Sequence, residues 1–209
     1  MANPKKVFTD PLADDNPITW HVLGVCSALA VTADVQNSLI MSIALTTVLV
    51  FSNLIISIMR LWIPHKIRMI VELAVIASLV IITDEVLKAY MPEASKKLSV
   101  FVGLIITNCI VMGRAEGFAM QNKPGLSIID GLGNGFGYSI ILLLVGASRE
   151  VFGAGSFYGY PVMDSLFGLA DKTYLPNGLM ILPPAAFIII GLIIWVQRTY
   201  ISTERLEES

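Results

Sequence analysis

Apolar residues in this chain fall in long uninterrupted blocks, and the charged residues gather in the gaps between them. Such blocks, too long for strands and too uniformly apolar for half-exposed helices, predict helices surrounded by apolar material on every side. Six are readable: residues 18–31, 39–59, 69–86, 98–113, 126–147 and 178–196. The second holds 21 residues without a charge, enough to cross a bilayer as a helix. The first and fourth are too short. The fourth has 16 residues between Lys97 and Arg114, and as a straight helix it would rise only about 24 Å, against a hydrocarbon core of about 30 Å.

The two short blocks share a pattern. Each carries one of the chain's two cysteines, Cys26 and Cys109, and each has an acid shortly afterwards, Asp34 and Glu116. Each is followed by a longer apolar run closed by arginine, Arg60 in the first half and Arg149 in the second. Six segments then divide as three plus three. An odd number of crossings per half puts the second half into the membrane from the opposite side, so related halves form an inverted repeat. The expectation is an all-α polytopic membrane protein with six transmembrane segments as two inverted three-helix repeats. Its parts are a cytoplasmic tail at 1–17, a first repeat at 18–90, a second at 91–200 and a short cytoplasmic tail at 201–209. The 148–177 stretch reads as the longest loop.

Composition supports a membrane location. Of 209 residues, 55% are hydrophobic and 14% charged, where a soluble domain carries about a quarter charged. Net charge is −2 and no basic tract is present, which argues against nucleic acid as a partner. With the N-terminus cytoplasmic, the inner regions hold nine lysines and arginines and the outer regions five, so both termini are expected inside. A cleaved signal is disfavoured, because Asp10, Asp14, Asp15 and Pro17 precede the first apolar block and Gly24 and Cys26 interrupt it.

A short segment can still cross if it is broken midway, since extended backbone gains about 3.3 Å per residue against 1.5 Å in a helix. Gly24 and Ser27 around Cys26, and Thr107, Asn108 and Gly113 around Cys109, suit such breaks. Non-helical backbone at that depth has to be covered by protein. The first and fourth segments are therefore expected as broken half-helices meeting near the bilayer centre, with Cys26 and Cys109 facing each other. Two facing thiols leave three possibilities: a disulfide, an inert pair of small hydrophobes, or half of a metal site. Spacing alone does not choose, and the C-x-x-C pattern of many clusters is absent.

Other polar positions read more plainly. The run Gly131-Leu-Gly-Asn-Gly-Phe-Gly137 lacks the G-x-G-x-x-G spacing of a dinucleotide loop and suits close helix packing. Asp34, Glu116 and Asp130 are expected as loop or helix-end charges, with a cation path as the alternative. Glu72 and Asp84 flank the third span and fit either role. His21 is expected near the interface, and Trp20, Trp62 and Trp195 sit at segment ends, as interfacial anchors do.

Three stretches carry a resemblance: LGVCSALAV at 23–31, LSVFVGLIITNCIVMGRAE at 98–116 and PNGLM at 176–180. They closely resemble the D-subunit family of bacterial sodium-translocating NADH:quinone oxidoreductases, and the sister E-type protein of the Rnf complex is similar. The resemblance covers nearly the whole chain, the tails and the 150–175 loop being the least alike. It implies an electron-transferring membrane component of a translocase in the bacterial inner membrane, not catalytic alone. It further implies that Cys26 and Cys109 are cofactor and metal ligands. They would hold a 2Fe–2S cluster, or a single iron, completed by two cysteines of the homologous E-type protein of the complex as an inverted pseudo-symmetric partner. Electron flow would be coupled to Na+ export, while NADH, FAD, FMN and ubiquinone sites would belong to other subunits, since this chain shows no flavin or nucleotide motif. A ferredoxin-linked Rnf role, or a cofactor-free transporter or scaffold with inert cysteines, are the alternatives.

Overall fold

The long apolar blocks are helices, as their composition requires. The computed structural model describes residues 4–12, 16–64, 66–90, 103–155 and 178–207, and no strand occurs among them. In chain order the helices are α1 (Pro4–Thr9), α2 (Val25–Val31), α3 (Val35–Met59), α4 (Arg68–Tyr90), α5 (Cys109–Arg114), α6 (Pro124–Ala154), α7 (Gly178–Ile181) and α8 (Pro183–Glu207). A 3₁₀ turn, Asp10–Leu12, follows α1, and one turn of π-helix, Ala115–Ala119, extends α5. Most of the linker expected at 89–97 and most of the 148–177 loop lie outside the described residues.

Two compact units are formed by interleaved pieces of the chain: Met1–Ser27 with Ser42–Ser139, and Ala28–Met41 with Ile140–Ser209. In the first unit α4 is turned inside out relative to a helix in water. Its buried residues are Glu72, Ile76 and Val80, whereas Met69, Ile70, Ile81, Ile82 and Val86 are exposed. A carboxylate inward and large aliphatics outward suit an apolar solvent and not an aqueous one. The same unit leaves Leu61 and Trp62 exposed beyond the end of α3. By length and composition alone, α3 and α6 can cross a membrane.

The N-terminal segment expected as a polar tail is instead packed. The alternating glycines of α6 explain how. Residues four apart share a helix face and residues two apart point to opposite sides, so the run is two interleaved Gly-x-x-x-Gly stripes. On one, a Cβ at Gly131 would sit 3.1 Å from the Val50 backbone, and one at Gly135 would sit 2.6 Å from Thr46 Cγ2 of α3. On the other, Gly133 lies beneath the Phe8 backbone and Gly137 beneath Pro11. Phe8 then meets the Phe136 ring edge-on, with centroids 6.5 Å apart.

The second unit corrects two expectations. Arg149 and Glu150, expected in a loop, belong to α6, which runs on to Ala154. Arg149 is 2% exposed because its guanidinium satisfies the carbonyl ends of two short helices. It donates to Leu29 O at 3.3 Å and Thr32 Oγ1 at 2.6 Å near the end of α2. It also donates to Met180 O at 3.2 Å, Ile181 O at 2.6 Å and Leu182 O at 3.3 Å, around the end of α7. Helix ends leave such carbonyls without partners of their own. Glu150 accepts from Val35 N at 2.8 Å, at the start of α3. The sixth apolar block is not one helix either. It breaks at Leu182, because Pro183 and Pro184 have no N–H to continue α7 and are suited to open α8. Helix α8 also runs into the stretch expected as a tail, ending at Glu207.

Gly135→Ala, which drives a methyl into Thr46, is expected to lower stability by roughly 1–3 kcal/mol. Gly125→Ala, where nothing lies within 4 Å of the new carbon, is expected to be neutral. Thermal midpoints of the detergent-solubilised protein check this, and Thr46→Ala in the Gly135→Ala background should recover much of the loss.

Candidate functional site

Two interruptions of helical backbone build the site, both within the first unit. The earlier one begins at Asn16, whose side chain is buried. Asn16 Nδ2 donates to Gly137 O at 3.1 Å and its Oδ1 accepts from Ile18 N at 3.0 Å. A turn follows, closed by Trp20 N on Asn16 O at 2.9 Å and Leu23 N on Pro17 O at 2.9 Å. Val22 and Gly24 then take positive φ, 56° and 79°. For a β-branched valine this is strained backbone held in place by its surroundings. Gly24 is required twice over, by its φ and because a Cβ would lie 2.6 Å from Ile110 Cδ1 and 3.1 Å from Tyr138 Cε2. Helix α2 starts one residue later and carries Cys26 in its first turn.

The later interruption is at Thr107 and Asn108, after a helical turn at 103–106. Asn108 is extended, with φ −71° and ψ 122°, and its side chain caps α5 by accepting from Ile110 N at 3.2 Å. Asparagine is among the best residues for this position. Cys109 is then the first residue of α5.

A buried hydrogen-bond network ties the two interruptions together. Ser27 Oγ donates to Gly24 O at 2.9 Å. With its one proton so used, it accepts from Asn108 Nδ2 at 3.0 Å and from Tyr138 OH at 2.8 Å. Ser27 follows Cys26 and Asn108 precedes Cys109, so this network sets the register of the two sulfurs. Cys26 Sγ and Cys109 Sγ lie 3.7 Å apart. Both are free thiols, Cys26 exposed and Cys109 half-buried; a disulfide would need a separation of about 2.05 Å. No group of three or more His, Cys, Asp or Glu side chains suited to a metal occurs among the described residues.

The far end of α5 is fixed by charge. Asp130, expected near a helix end or in a loop, lies inside α6 and is 1% exposed. Arg114 holds it with both arms: Nε donates to Oδ2 at 3.0 Å, and Nη2 pairs with Oδ1. Asn134 Nδ2 donates to Asp130 Oδ1 at 3.0 Å, and Arg114 also stacks over Phe118, 5.2 Å from its centroid. Glu116 pairs with Arg68, while Asp34 accepts from Asn37 at 3.0 Å in the second unit.

Of the residues singled out from sequence, Cys26 and Cys109 are brought together. Tyr138 is the contributor that sequence reasoning missed. Its one signal was a phenol one position beyond the glycine stripes, in an otherwise apolar run. Ser27 and Asn108 were read only as helix breakers and prove to be the links between the breaks.

Helices with apolar faces outward, and no strand among the described residues, define a membrane protein, and a pair of free thiols lies at the junction of two of its broken segments. A family model described as "Rnf-Nqr subunit, membrane protein" matches residues 5–194, and the chain belongs to this family. Among curated proteins it is 55% identical over 203 residues to the D subunit of the Na(+)-translocating NADH-quinone reductase of Shewanella halifaxensis, covering 96% of each chain. It is 57% identical over 195 residues to the protein of the same name from Proteus mirabilis, covering 93% of this chain and 92% of the other.

Asn108→Ala removes both the α5 cap and the Ser27 bond, and is expected to let the sulfurs drift. Oxidation with copper phenanthroline should close the Cys26–Cys109 disulfide readily in the isolated chain freed of metal by a chelator, and at least several-fold more slowly in Asn108→Ala treated alike. Tyr138→Phe, which leaves Asn108 and Ser27 in contact, should slow it little.

Proposed function

We propose that this chain is the membrane-embedded electron-transfer component of a sodium-translocating NADH:quinone reductase, and that Cys26 and Cys109 are two of the four ligands of an iron centre. The observation that carries the reading is the sulfur separation. Two thiolates on one tetrahedral metal, with bonds of about 2.3 Å, lie about 3.8 Å apart; here they lie 3.7 Å apart. Iron–sulfur centres are commonly held by four cysteines. This chain supplies two, and the exposed Cys26 thiol leaves room for a partner to supply the others. That partner is the homologous E-type protein of the same complex. A 2Fe–2S cluster, or a single iron with four thiolates, would supply one-electron transfer between the flavin and iron cofactors on the two sides of the membrane.

The chain's own residues do the holding. Gly24 lets α2 start hard against Ile110 and Tyr138, Asn108 fixes the start of α5, and Ser27 joins the two. The reading includes six crossings as two inverted three-helix repeats, supported by the matching break-then-cysteine pattern in each half. Both termini lie in the cytoplasm of a cell whose inner membrane holds the complex, supported by the excess of basic residues on that side. NADH, FAD, FMN and quinone are bound by other subunits. The relatives' names favour this assignment over a ferredoxin-linked Rnf role. Alternation of the two broken segments with redox state would couple electron flow to Na+ export.

Purified complex is expected to contain stoichiometric iron at this centre, with its visible and paramagnetic signals, and to lose it in both Cys26→Ala and Cys109→Ala. Assembly is checked by the protein composition of the purified complex. Full iron retention in both variants would leave the cofactor-free scaffold reading in its place.

A further inference from the structure

The first unit holds a second polar constellation, away from the cysteines, at the start of α4. Arg68, Glu72 and Val75 lie along one stripe of that helix, separated by one turn each. At one end of the stripe Arg68 pairs with Glu116 of the π-turn. At the other end Val75 packs against the buried cluster formed by Ile56 of α3 with Ala115 and Ala119 of the same π-turn. Glu72 therefore sits between two points at which α4 touches the Ala115–Ala119 segment. It has no exposed surface, and neither of its carboxylate oxygens has a hydrogen-bond partner. Glu116 Oε2 is likewise buried and without one. So is Ser52 Oγ, one turn before Ile56 on the α3 stripe that meets the same alanines.

Arg68, one turn before Glu72 on α4, already serves Glu116. The neighbouring arginines are committed elsewhere, Arg114 to Asp130 and Arg60 to the Asn122 carbonyl at 2.9 Å. One guanidinium against two carboxylates leaves one negative charge in excess; Arg68 and Glu116 are partly exposed, but Glu72 has no exposed surface, and an uncompensated charge there is strongly unfavourable. A single positive charge restores balance. The donor set is oxygen only, two carboxylates and a hydroxyl, which is the set that hard cations prefer. The π-turn that carries Glu116 is of a kind often found at functional sites.

We propose that Glu72, Glu116 and Ser52, with Arg68 as the fixed counter-charge, form a binding site for one monovalent alkali cation. The site makes no use of the cysteines and does not depend on the iron reading. Glu72 is the central ligand, Glu116 is shared between the cation and Arg68, and Ser52 adds a neutral oxygen. A divalent ion would overcompensate the single excess charge and is disfavoured.

The test is equilibrium binding of radioactive Na+ to the detergent-purified complex that contains this chain, with K+ and choline as competitors. Glu72→Gln is expected to reduce the bound Na+ by one per complex. Glu116→Gln is expected to do the same, because Arg68 alone then neutralises Glu72. Arg68→Gln is expected to retain the cation and bind it more tightly. All three should keep their iron, whereas Cys26→Ala should keep its Na+ count, so failure of one reading is separable from failure of the other. Equal Na+ stoichiometry in native, Glu72→Gln and Glu116→Gln complexes would overturn the proposal. So would an infrared difference spectrum in which the Glu72 carboxyl stays protonated at saturating Na+, which assigns the balancing charge to a proton. Should Glu72→Gln fail to assemble, the Glu116→Gln count decides alone.

Discussion

Everything near the cysteines depends on one buried hydroxyl. Ser27 Oγ receives Asn108 and Tyr138 and gives its proton to Gly24 O, so three separate stretches of chain converge on a single atom. In water such bonds would exchange with solvent and contribute little net. In an apolar surrounding the alternative to each bond is an unsatisfied polar group, which costs far more. Whether the gain per bond is large is less important than the convergence of all three partners on one atom. That is how two segments with no helical ladder across their breaks can still hold two sulfurs at a fixed separation.

The breaks themselves follow from the same accounting. A backbone that leaves the helix exposes donors and acceptors that lipid cannot meet. The chain answers with side chains that act as substitute backbone: Asn16 bridging Ile18 N and Gly137 O, Asn108 capping Ile110 N, Arg60 and Ser57 meeting the Asn122 carbonyl at 2.9 and 2.7 Å. In the second unit Arg149 performs this service for the ends of two helices at once. An arginine with five donors is suited to a place where several carbonyls end together.

How much of this was legible in the sequence divides along a physical line. The apolar blocks, the shortness of two of them and the matched cysteines were readable because they depend on composition and length. The glycine run was readable as a packing device for a similar reason: small residues at a repeat of four can only mean close approach. What could not be read was where polar side chains point. Arg149 looks like a loop residue when counted as a charge at the end of an apolar run, and Asp130 like a helix-end acid. Their burial depends on carbonyls and guanidinium groups that are near in space and distant in sequence. Tyr138 was invisible because a lone phenol in an apolar helix is ordinarily packing, and only Ser27, 111 residues earlier, gives it a partner.

The two polar constellations of the first unit differ in a way that bears on their roles. Around Asp130 the charges balance, one guanidinium bidentate on one carboxylate with asparagine amides beside it. A balanced buried pair of this kind needs nothing further, and removing either member strands the other, at a cost of roughly 3–5 kcal/mol. Around Glu72 the count is uneven, and the unpartnered oxygens there belong to carboxylates, whereas those beside Asp130 are the amide oxygens of Asn53 and Asn134. Structural ion pairs are under no requirement to be unbalanced, since a glutamine at position 72 would fill the same volume without the charge. The excess carboxylate is therefore better explained by something that comes and goes than by the stability of the fold, and the Arg68 that precedes it on α4 pairs with Glu116 of the widened turn, on the short stretch of chain that begins with Cys109.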